Sequence, residues 1–504
     1  MEAYITTIDE IINSTDAFDK IYEHLQFVMG YPYVKDMLRE NLKKNLESMR
    51  SDLRVVIETN YIDKVYRDSY YRFFSTKLKS YGRNCVRLSF FEPNFNTKED
   101  FIKVGVDALR DWYDGFLVLR PLASNACIGR NVIAKRAKIN QDIDICTAPV
   151  KSTCMGAKLS VPGFPHSSQD AEYMSCAETT IWTLLEYFGN KYTLYSPALP
   201  EDVIDSLDST AFERMTPTTG LNFQELSLAL KDHGLSTKVY YSNNYSKNPE
   251  KFHEIFNCYL ESGFPLAVCL SGGQSSGHAV VCVGRKKMSW NDVCSIGTRR
   301  VFERQQSQHD YYFWNTHNSE IVFNDDNRPS YIPTEFYNPT KYYGNNPLFL
   351  GLRISHFIVP LHCKIYLPAE IAIDASNYLI ANYLKKQDGS CIKTFLTSNR
   401  SYREYLLTNN DFTPDQKEAY LQIEMPKFVW VTEIADDAKN ADNKINAVIL
   451  LDATGNKSGY SDLSSLIFIQ NNGNGLVFNE ETRTLELFKI KLAKEFAPFK
   501  GNLK

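Results

Sequence analysis

The stretch Gln169–Gly189, QDAEYMSCAETTIWTLLEYFG, decides the fold of this chain. It places Cys176 at the start of a predicted helix that ends at Gly189, with Gln169 seven positions before the cysteine. The positive end of a helix dipole favours the thiolate form of a cysteine there. A glutamine amide nearby can donate a hydrogen bond to an oxyanion. The pattern therefore predicts Cys176 as a nucleophile and Gln169 as an oxyanion donor.

Length and composition bound the class of protein. The chain has 504 residues, too many for one ordinary core, so several domains are expected. It is 43% hydrophobic and 23% charged, as in a globular protein, and its formal net charge of -4 gives no reason to expect a nucleic-acid partner. No apolar run is long enough for a membrane span, and the first residues do not resemble a signal peptide.

The cysteines are spaced for neither a metal site nor a disulfide framework. Eleven are present and none forms a C-x-x-C pair. Several lie in apolar runs, which is typical of buried free thiols in a reducing compartment. We therefore expect a cytoplasmic protein without structural disulfides.

His278 is the predicted general base. It follows the loop segment SGGQSSG at 271–277 and opens the apolar segment 278–284. An imidazole titrates near neutral pH, which suits proton transfer to and from a thiol. The weaker histidine candidates lie in a polar stretch, in or beside predicted helices, or outside the central region: His309, His317, His233, His253, His356 and His362.

Asp325 is the predicted group that orients His278. It ends the apolar segment IVFNDD at 321–326, where a carboxylate can accept from one imidazole nitrogen. Asp326 is the immediate alternative, because neighbouring strand residues face opposite sides and only one of the two should reach the histidine. Asn324 is a third alternative.

The candidate residues and the segments around them occur in an order shared with a known class of enzymes. The matching segments are Gln169-Asp170 before Cys176, the helix closing on Tyr187-Phe188-Gly189, Gly220-Leu221 before a helix, Gly263-Phe264-Pro265-Leu266 and Gly277-His278 before strands, and Asn324-Asp325. Together they resemble the papain-like cysteine peptidases, and within them the double-glycine leader peptidases that process bacteriocins and their soluble bacterial relatives.

The resemblance implies an α+β fold with a papain-like core, in which the helix carrying the cysteine packs against an antiparallel sheet. It implies a peptidase domain over 146–340, flanked by α+β modules of unknown role at 1–145 and 341–504. The implied activity is cleavage of a peptide or protein substrate by Cys176, His278 and Asp325, with Gln169 at the oxyanion. No metal or organic cofactor is implied.

Two further classes of function stay open. The same fold performs other acyl chemistry, namely amide hydrolysis, deamidation or transglutamination, and a decayed papain-like fold can act as a binding scaffold. The flanking modules suggest regulation, including by a partner protein, and an effector role in bacterial defence or toxicity is a hypothesis from architecture alone. The polar stretch 285–312 is predicted to be an irregular insertion, either a lid or a surface loop.

Overall fold

The computed structural model of the chain describes residues 2–26, 35–122, 126–170, 172–209, 221–272, 277–296, 299–302, 308–317, 320–384, 386–436, 444–455, 463–479, 482 and 484–504. Gly220 and residues 273–276, which belong to two of the segments quoted above, lie outside this range.

Helices and strands alternate irregularly along the described chain, so the protein is of mixed α+β class, as expected. The α-helices are α1 Ile8–Asn13, α2 Thr15–Gln26, α3 Lys35–Leu46, α4 Lys64–Arg72, α5 Lys98–Lys103, α6 Val106–Trp112, α7 Cys176–Lys191, α8 Pro200–Asp208, α9 Phe223–Asp232, α10 Pro249–Glu261, α11 Trp290–Ile296, α12 Trp314–His317, α13 Ala369–Leu379, α14 Asn399–Thr408 and α15 Pro414–Leu421. The strands are β1 Ala3–Thr7, β2 Arg54–Tyr61, β3 Cys85–Phe91, β4 Tyr113–Leu119, β5 Ile128–Ile133, β6 Ile143–Ile145, β7 Ala148–Cys154, β8 Ala157–Gly163, β9 Ser236–Tyr241, β10 Leu266–Ser271, β11 His278–Lys286, β12 Arg299–Phe302, β13 Gln308–Phe313, β14 Glu320–Asn324, β15 Ile332–Glu335, β16 Arg353–Leu361, β17 Cys391–Ser398, β18 Phe428–Ala435, β19 Ala447–Asp452, β20 Leu466–Asn471, β21 Asn474–Asn479 and β22 Thr484–Leu487. None of the helices in the described part of the chain has both the length and the apolar character needed to cross a membrane.

The chain divides into two compact units, each built from three segments. The first unit comprises Met1–Val239, Ala267–Val283 and Val322–Ile358, and the second comprises Tyr240–Leu266, Gly284–Ile321 and Val359–Lys504. The boundaries of these two units differ from those of the three consecutive domains expected at 1–145, 146–340 and 341–504. The difference arises because strands far apart in the sequence pair with one another, which chain order alone does not reveal.

The first unit contains an antiparallel sheet of order β1-β2-β3-β4-β5 and the hairpin β7-β8. A seven-stranded sheet has the order β15-β14-β11-β10-β16-β9, with β6 paired to β11. Strands β10 and β16 are antiparallel, with Ala267 opposite Ile358. Since β14 neighbours β11, the end of one strand lies beside the start of the other, and this position carries the candidate site.

Helix α7 is the central helix of the first unit. Its residues 177–188 are all buried, so the helix has no solvent-facing side over three turns. A buried ion pair ties it to β5, with Arg130 Nη2 2.5 Å from Glu186 Oε1. The ring of Tyr187 also stacks on Phe164 at 4.8 Å between centroids. These contacts fix the direction in which the helix presents its first residue, Cys176.

The prediction that Gly189 ends this helix is wrong, because α7 continues to Lys191. A Cβ atom at Gly189 would lie 2.2 Å from the backbone nitrogen of Pro197. The glycine therefore allows the following loop to approach the helix closely, and it does not terminate the helix.

The second unit contains a sheet of order β12-β13-β17-β18-β19-β20-β21-β22. The prediction of an irregular insertion at 285–312 is wrong for the residues that are described. Trp290 and Val293 of α11 are buried in the core of this unit with Trp314, and β13 pairs in parallel with β17. A few buried apolar side chains among many polar residues are enough to order this stretch, and its average polarity concealed them.

Replacing Gly189 by alanine tests the reason given for that glycine. An alanine in a helix is normally stabilising, but here the added methyl group overlaps the Pro197 backbone, so we expect Gly189→Ala to lower the free energy of unfolding by about 2 to 3 kcal/mol. Thermal unfolding followed by circular dichroism measures the change. Gly455→Ala is the control, because the nearest atom to its added carbon is a side-chain oxygen at 3.4 Å. Equal stability of the Gly189 variant and the wild type would contradict the packing argument.

Candidate active site

The loop before α7 is fixed by one buried carboxylate. Asp170 Oδ1 accepts three backbone N–H bonds at 2.7 to 3.0 Å, from Glu172, Tyr173 and Met174. An aspartate that binds the backbone just ahead of it closes a tight turn. The sequence therefore turns sharply after Gln169 and delivers Cys176 to one defined position.

The start of α7 is capped by Ser175 and Glu178. The Glu178 carboxylate accepts from the Ser175 backbone N–H at 3.1 Å and from the Ser175 hydroxyl. These two bonds hold Ser175 at the helix start without covering the next residue. Cys176 is thus the first residue of the helix, is only partly buried, and lies in the positive field of the helix start.

His278 is the first residue of β11 and is buried. The residue before it, Gly277, has φ of 111°, a conformation that other residues rarely adopt. This glycine lets the chain turn into β11 directly at the histidine. His278 is therefore placed by a strand end, as predicted, and faces the end of the neighbouring strand β14.

Of the two aspartates that follow β14, the structure places Asp325 on the histidine. His278 Nε2 lies 3.0 Å from Asp325 Oδ1 and 3.8 Å from Asp326 Oδ1. The first distance is a hydrogen bond and the second is not. The third alternative, Asn324, uses its side-chain oxygen to accept from the Tyr331 backbone N–H at 2.9 Å.

Asp325 is held by donors on both of its oxygens. Tyr342 and Tyr343 donate their hydroxyl groups to Oδ2 at 2.6 and 2.8 Å, and the Asn327 backbone N–H donates to Oδ1 at 3.0 Å. The carboxylate is fully buried, so these donors replace the water it loses. Both tyrosines lie beyond residue 340, outside the predicted peptidase domain, and no sequence pattern distinguished them from the other tyrosines of the chain.

The charges at the site are strongly coupled. Burial alone would lower the pKa of His278, but the negative charge and hydrogen bond of Asp325, a side-chain hydrogen bond with Cys176 and the nearby Asp326 raise it well above its usual value. Burial would raise the pKa of Asp325, but the charge and hydrogen bond of His278, with the Tyr342 hydroxyl, hold it well below its usual value. An imidazolium paired with an ionised carboxylate is therefore the favoured state. Because Nε2 faces Asp325, Nδ1 is the nitrogen left for the thiol.

Asp326 differs in charge state from its neighbour. Burial raises its pKa, and the negative charge of Asp325 adds to this rise against the opposing charge of His278. The uncharged acid is therefore favoured at this position. Two adjacent carboxyl groups with opposed pKa shifts imply two different roles, with the charge needed by the histidine residing on Asp325.

Gln169 reaches the site through another residue. Its side-chain nitrogen donates to Asn327 Oδ1 at 2.9 Å, and the Asn327 backbone in turn donates to Asp325. An amide nitrogen carries two hydrogens, so one donor of Gln169 is not used by this bond. The predicted oxyanion role of Gln169 stays a prediction.

His166 was not singled out from the sequence, yet it supports the site from behind. Its Nε2 lies 3.0 Å from the backbone oxygen of Asp325 and its Nδ1 lies 3.0 Å from Asn131 Nδ2. Burial lowers the pKa of His166 to about 4, so the ring is neutral. The single consistent arrangement has Nε2–H donating to Asp325 and Nδ1 accepting from Asn131. An isolated histidine between two serines and a proline gives no sequence signal for such a role.

A second cysteine lies near the nucleophile candidate. Cys269 lies in β10, and burial, together with the charge of Cys176, raises its pKa to about 12. Its thiol therefore stays protonated at neutral pH and is a poor nucleophile. The pair offers an internal comparison between a cysteine that raises the pKa of His278 and one whose own raised pKa keeps it protonated.

Among the residues that the structure describes, the side chains of this site form a group that could hold a metal ion. His278, Asp325 and Asp326 bring one ligand atom each within 4.8 Å of one another. Both oxygens of Asp325 already accept hydrogen bonds from protein groups. This arrangement suits a carboxylate that orients the histidine better than one that coordinates a metal ion. The expectation of a cofactor-free site stays a prediction.

Comparison with known proteins assigns no family to the chain. No family model matches it, and no curated protein matches it either. The site must therefore be interpreted from its own geometry.

Exchanging each aspartate for asparagine separates their roles. Asp325→Asn removes the charge that stabilises the imidazolium, so the pKa of His278 falls and the positive charge beside Cys176 is lost. We expect alkylation of Cys176 by iodoacetamide at neutral pH to slow by about tenfold for each unit by which the pKa of His278 falls below the pH of the assay. Asp326→Asn is the matched control, since it replaces a group that favours its uncharged form. A larger effect from Asp326→Asn than from Asp325→Asn would reverse the assignment.

Proposed function

We propose that this chain is a cysteine peptidase that cleaves a peptide or protein substrate through a papain-like mechanism. One observation carries the proposal: His278 Nε2 hydrogen-bonds Asp325 Oδ1, and the Cys176 side chain is close enough to the same ring to raise the pKa of His278. Nucleophile, base and orienting group in contact are the minimum set for acyl transfer to sulfur. The position of Cys176 at the start of a helix supports the same chemistry.

In the proposed acylation step, the Cys176 sulfur attacks the carbonyl carbon of the scissile amide. A thioester forms, the C–N bond breaks, and the proton held at His278 Nδ1 passes to the leaving amine. The Cys176 backbone N–H belongs to the first turn of α7, where no acceptor within the helix exists. In the proposed mechanism, this N–H and the Gln169 side chain both donate hydrogen bonds to the oxyanion.

In the proposed deacylation step, water replaces the amine. His278, now neutral, takes a proton from water, the resulting hydroxide attacks the thioester, and the carboxylic acid leaves as sulfur regains its negative charge. Asp325 keeps its charge throughout and stabilises the imidazolium each time it forms. The four hydrogen bonds that hold Asp325 support this role, because a fixed carboxylate fixes the ring.

Amide hydrolysis, deamidation and transglutamination share the thioester and differ in the group that leaves or enters. They remain the alternative for this site, and the products distinguish them. A peptidase creates new N-termini. A deamidase releases ammonia and leaves a carboxylate, whereas a transglutaminase releases ammonia and joins the acyl group to a primary amine.

Thiol labelling combined with product mapping tests the proposal. We expect a thiol-directed probe to label the wild type at Cys176, and Cys176→Ala to abolish both the labelling and the appearance of new N-termini in a proteome digest. Cys269→Ala is the matched control, because the raised pKa of that thiol keeps it unreactive, and it should label as the wild type does. The assays contain EDTA, so that a metal at His278 and the aspartates makes no contribution. Mass spectrometry locates the labelled residue, because the exposed Cys363 also reacts with such a probe. Faster labelling of Cys363 than of Cys176 in the wild type, new N-termini that persist in Cys176→Ala, or cleavage that EDTA abolishes would contradict the proposal.

A further inference from the structure

The turn at residues 347–350 borders the candidate site through one aromatic ring. The Phe349 ring meets the His278 ring edge to face, at 5.4 Å between centroids and 77° between planes. Phe349 also stacks face to face on Tyr343 at 3.6 Å between centroids, and Tyr343 donates to Asp325. Phe349 is therefore fixed beside the imidazole, with Leu348 and Leu350 as its neighbours in the chain.

Hydrogen bonds fix the backbone of this turn. The Asn346 backbone oxygen accepts from the N–H groups of Phe349 and Leu350, both at 3.1 Å. The Asn346 side-chain oxygen accepts from the Leu348 N–H at 3.1 Å, and the Thr340 hydroxyl donates to the Phe349 backbone oxygen at 2.8 Å. The turn thus has a defined shape before any substrate arrives.

Two leucine side chains of this fixed turn face solvent. Leu348 is 64% exposed and Leu350 is 60% exposed, whereas Phe349 between them is partly buried. Single exposed leucines are common on protein surfaces, but here an ordered turn displays two of them on either side of a residue that contacts the candidate catalytic histidine. The segment 344–352, GNNPLFLGL, has no ionisable side chain, so it can recognise a ligand through apolar contact and not through charge.

We infer that Leu348 and Leu350 are specificity-determining residues that bind an apolar side chain of the substrate close to the scissile bond. The inference rests on the proposed peptidase function and adds the substrate class: peptides with an aliphatic or aromatic residue beside the bond that is cut. Burial of that side chain against the two leucines would hold the carbonyl carbon at Cys176.

Peptidyl chloromethyl ketones that carry leucine, phenylalanine, aspartate or lysine next to the reactive carbon test the inference. These reagents alkylate the active-site cysteine directly, so the natural substrate need not be known. The inactivation rate with each reagent is divided by the rate with iodoacetamide, which has no side chain to recognise. For the wild type we expect the leucine and phenylalanine reagents to be favoured about tenfold or more over the charged ones. In the double variant Leu348→Gln, Leu350→Gln that preference should fall by about tenfold or more, so that the four reagents react at similar rates.

Leu194→Gln is the matched control. Leu194 is 62% exposed and lies beyond the far end of α7, a helix about 24 Å long whose first residue is Cys176. This variant should keep the wild-type preference. Equal rates with all four reagents in the wild type, or an unchanged preference in the double variant, would overturn the inference and leave the proposed function in place. Failure of iodoacetamide to react selectively at Cys176 would instead count against the proposed function itself.

Discussion

A charged imidazole and a carboxylate, His278 and Asp325, meet inside the first unit, and the candidate site depends on their contact. Two buried charges are stable only when they are paired and when their remaining hydrogen-bonding capacity is met. Asp325 has its remaining acceptor capacity filled by the hydroxyl groups of Tyr342 and Tyr343 and by the Asn327 backbone N–H. Leaving either charge without its partner would cost about 3 to 5 kcal/mol, so the pair constrains every element that contacts it.

The fold satisfies this constraint by bringing together segments that are distant in sequence. Strands β14 and β11 are neighbours in one sheet, so the residue after one lies beside the first residue of the other. His166 holds the backbone of Asp325 from a third segment, and its neutral ring adds no competing charge. Helix α7, buried along most of its length and tied to β5 by Glu186 and Arg130, brings Cys176 close enough to His278 to raise the pKa of the histidine.

The sequence revealed the members of the site that sit at the ends of regular elements. Cys176 opens a helix, and His278 and Asp325 flank apolar strands, so each has a local pattern; the structure brings these three together, while Gln169 joins them only through Asn327. His166, Tyr342 and Tyr343 have no such pattern, because their contacts with Asp325 exist only after the chain has folded. The choice between Asp325 and Asp326 also required coordinates, since adjacent residues share one sequence context.

Fold prediction relied on local sequence patterns, which identify regular elements but not the contacts between them. Helical and strand periodicity gave the mixed α+β class and located α7, β11 and β14. Gly189 was mistaken for a helix stop because a glycine needed for close packing looks the same in sequence as one needed for termination. The stretch 285–312 was mistaken for an irregular insertion because two of its side chains, Trp290 and Val293, lie fully in a core that the folded chain alone defines.

The protonation state of His278 is the most direct test of this account. Nitrogen-15 NMR of the imidazole in the wild-type protein, recorded from about pH 6 to about pH 9, distinguishes the imidazolium from the neutral ring. The account predicts that His278 remains doubly protonated at neutral pH and loses its proton only well above the usual histidine pKa, as the Asp325 contact requires. A His278 that titrates at the ordinary histidine pKa, or that is already neutral near pH 7, would contradict it.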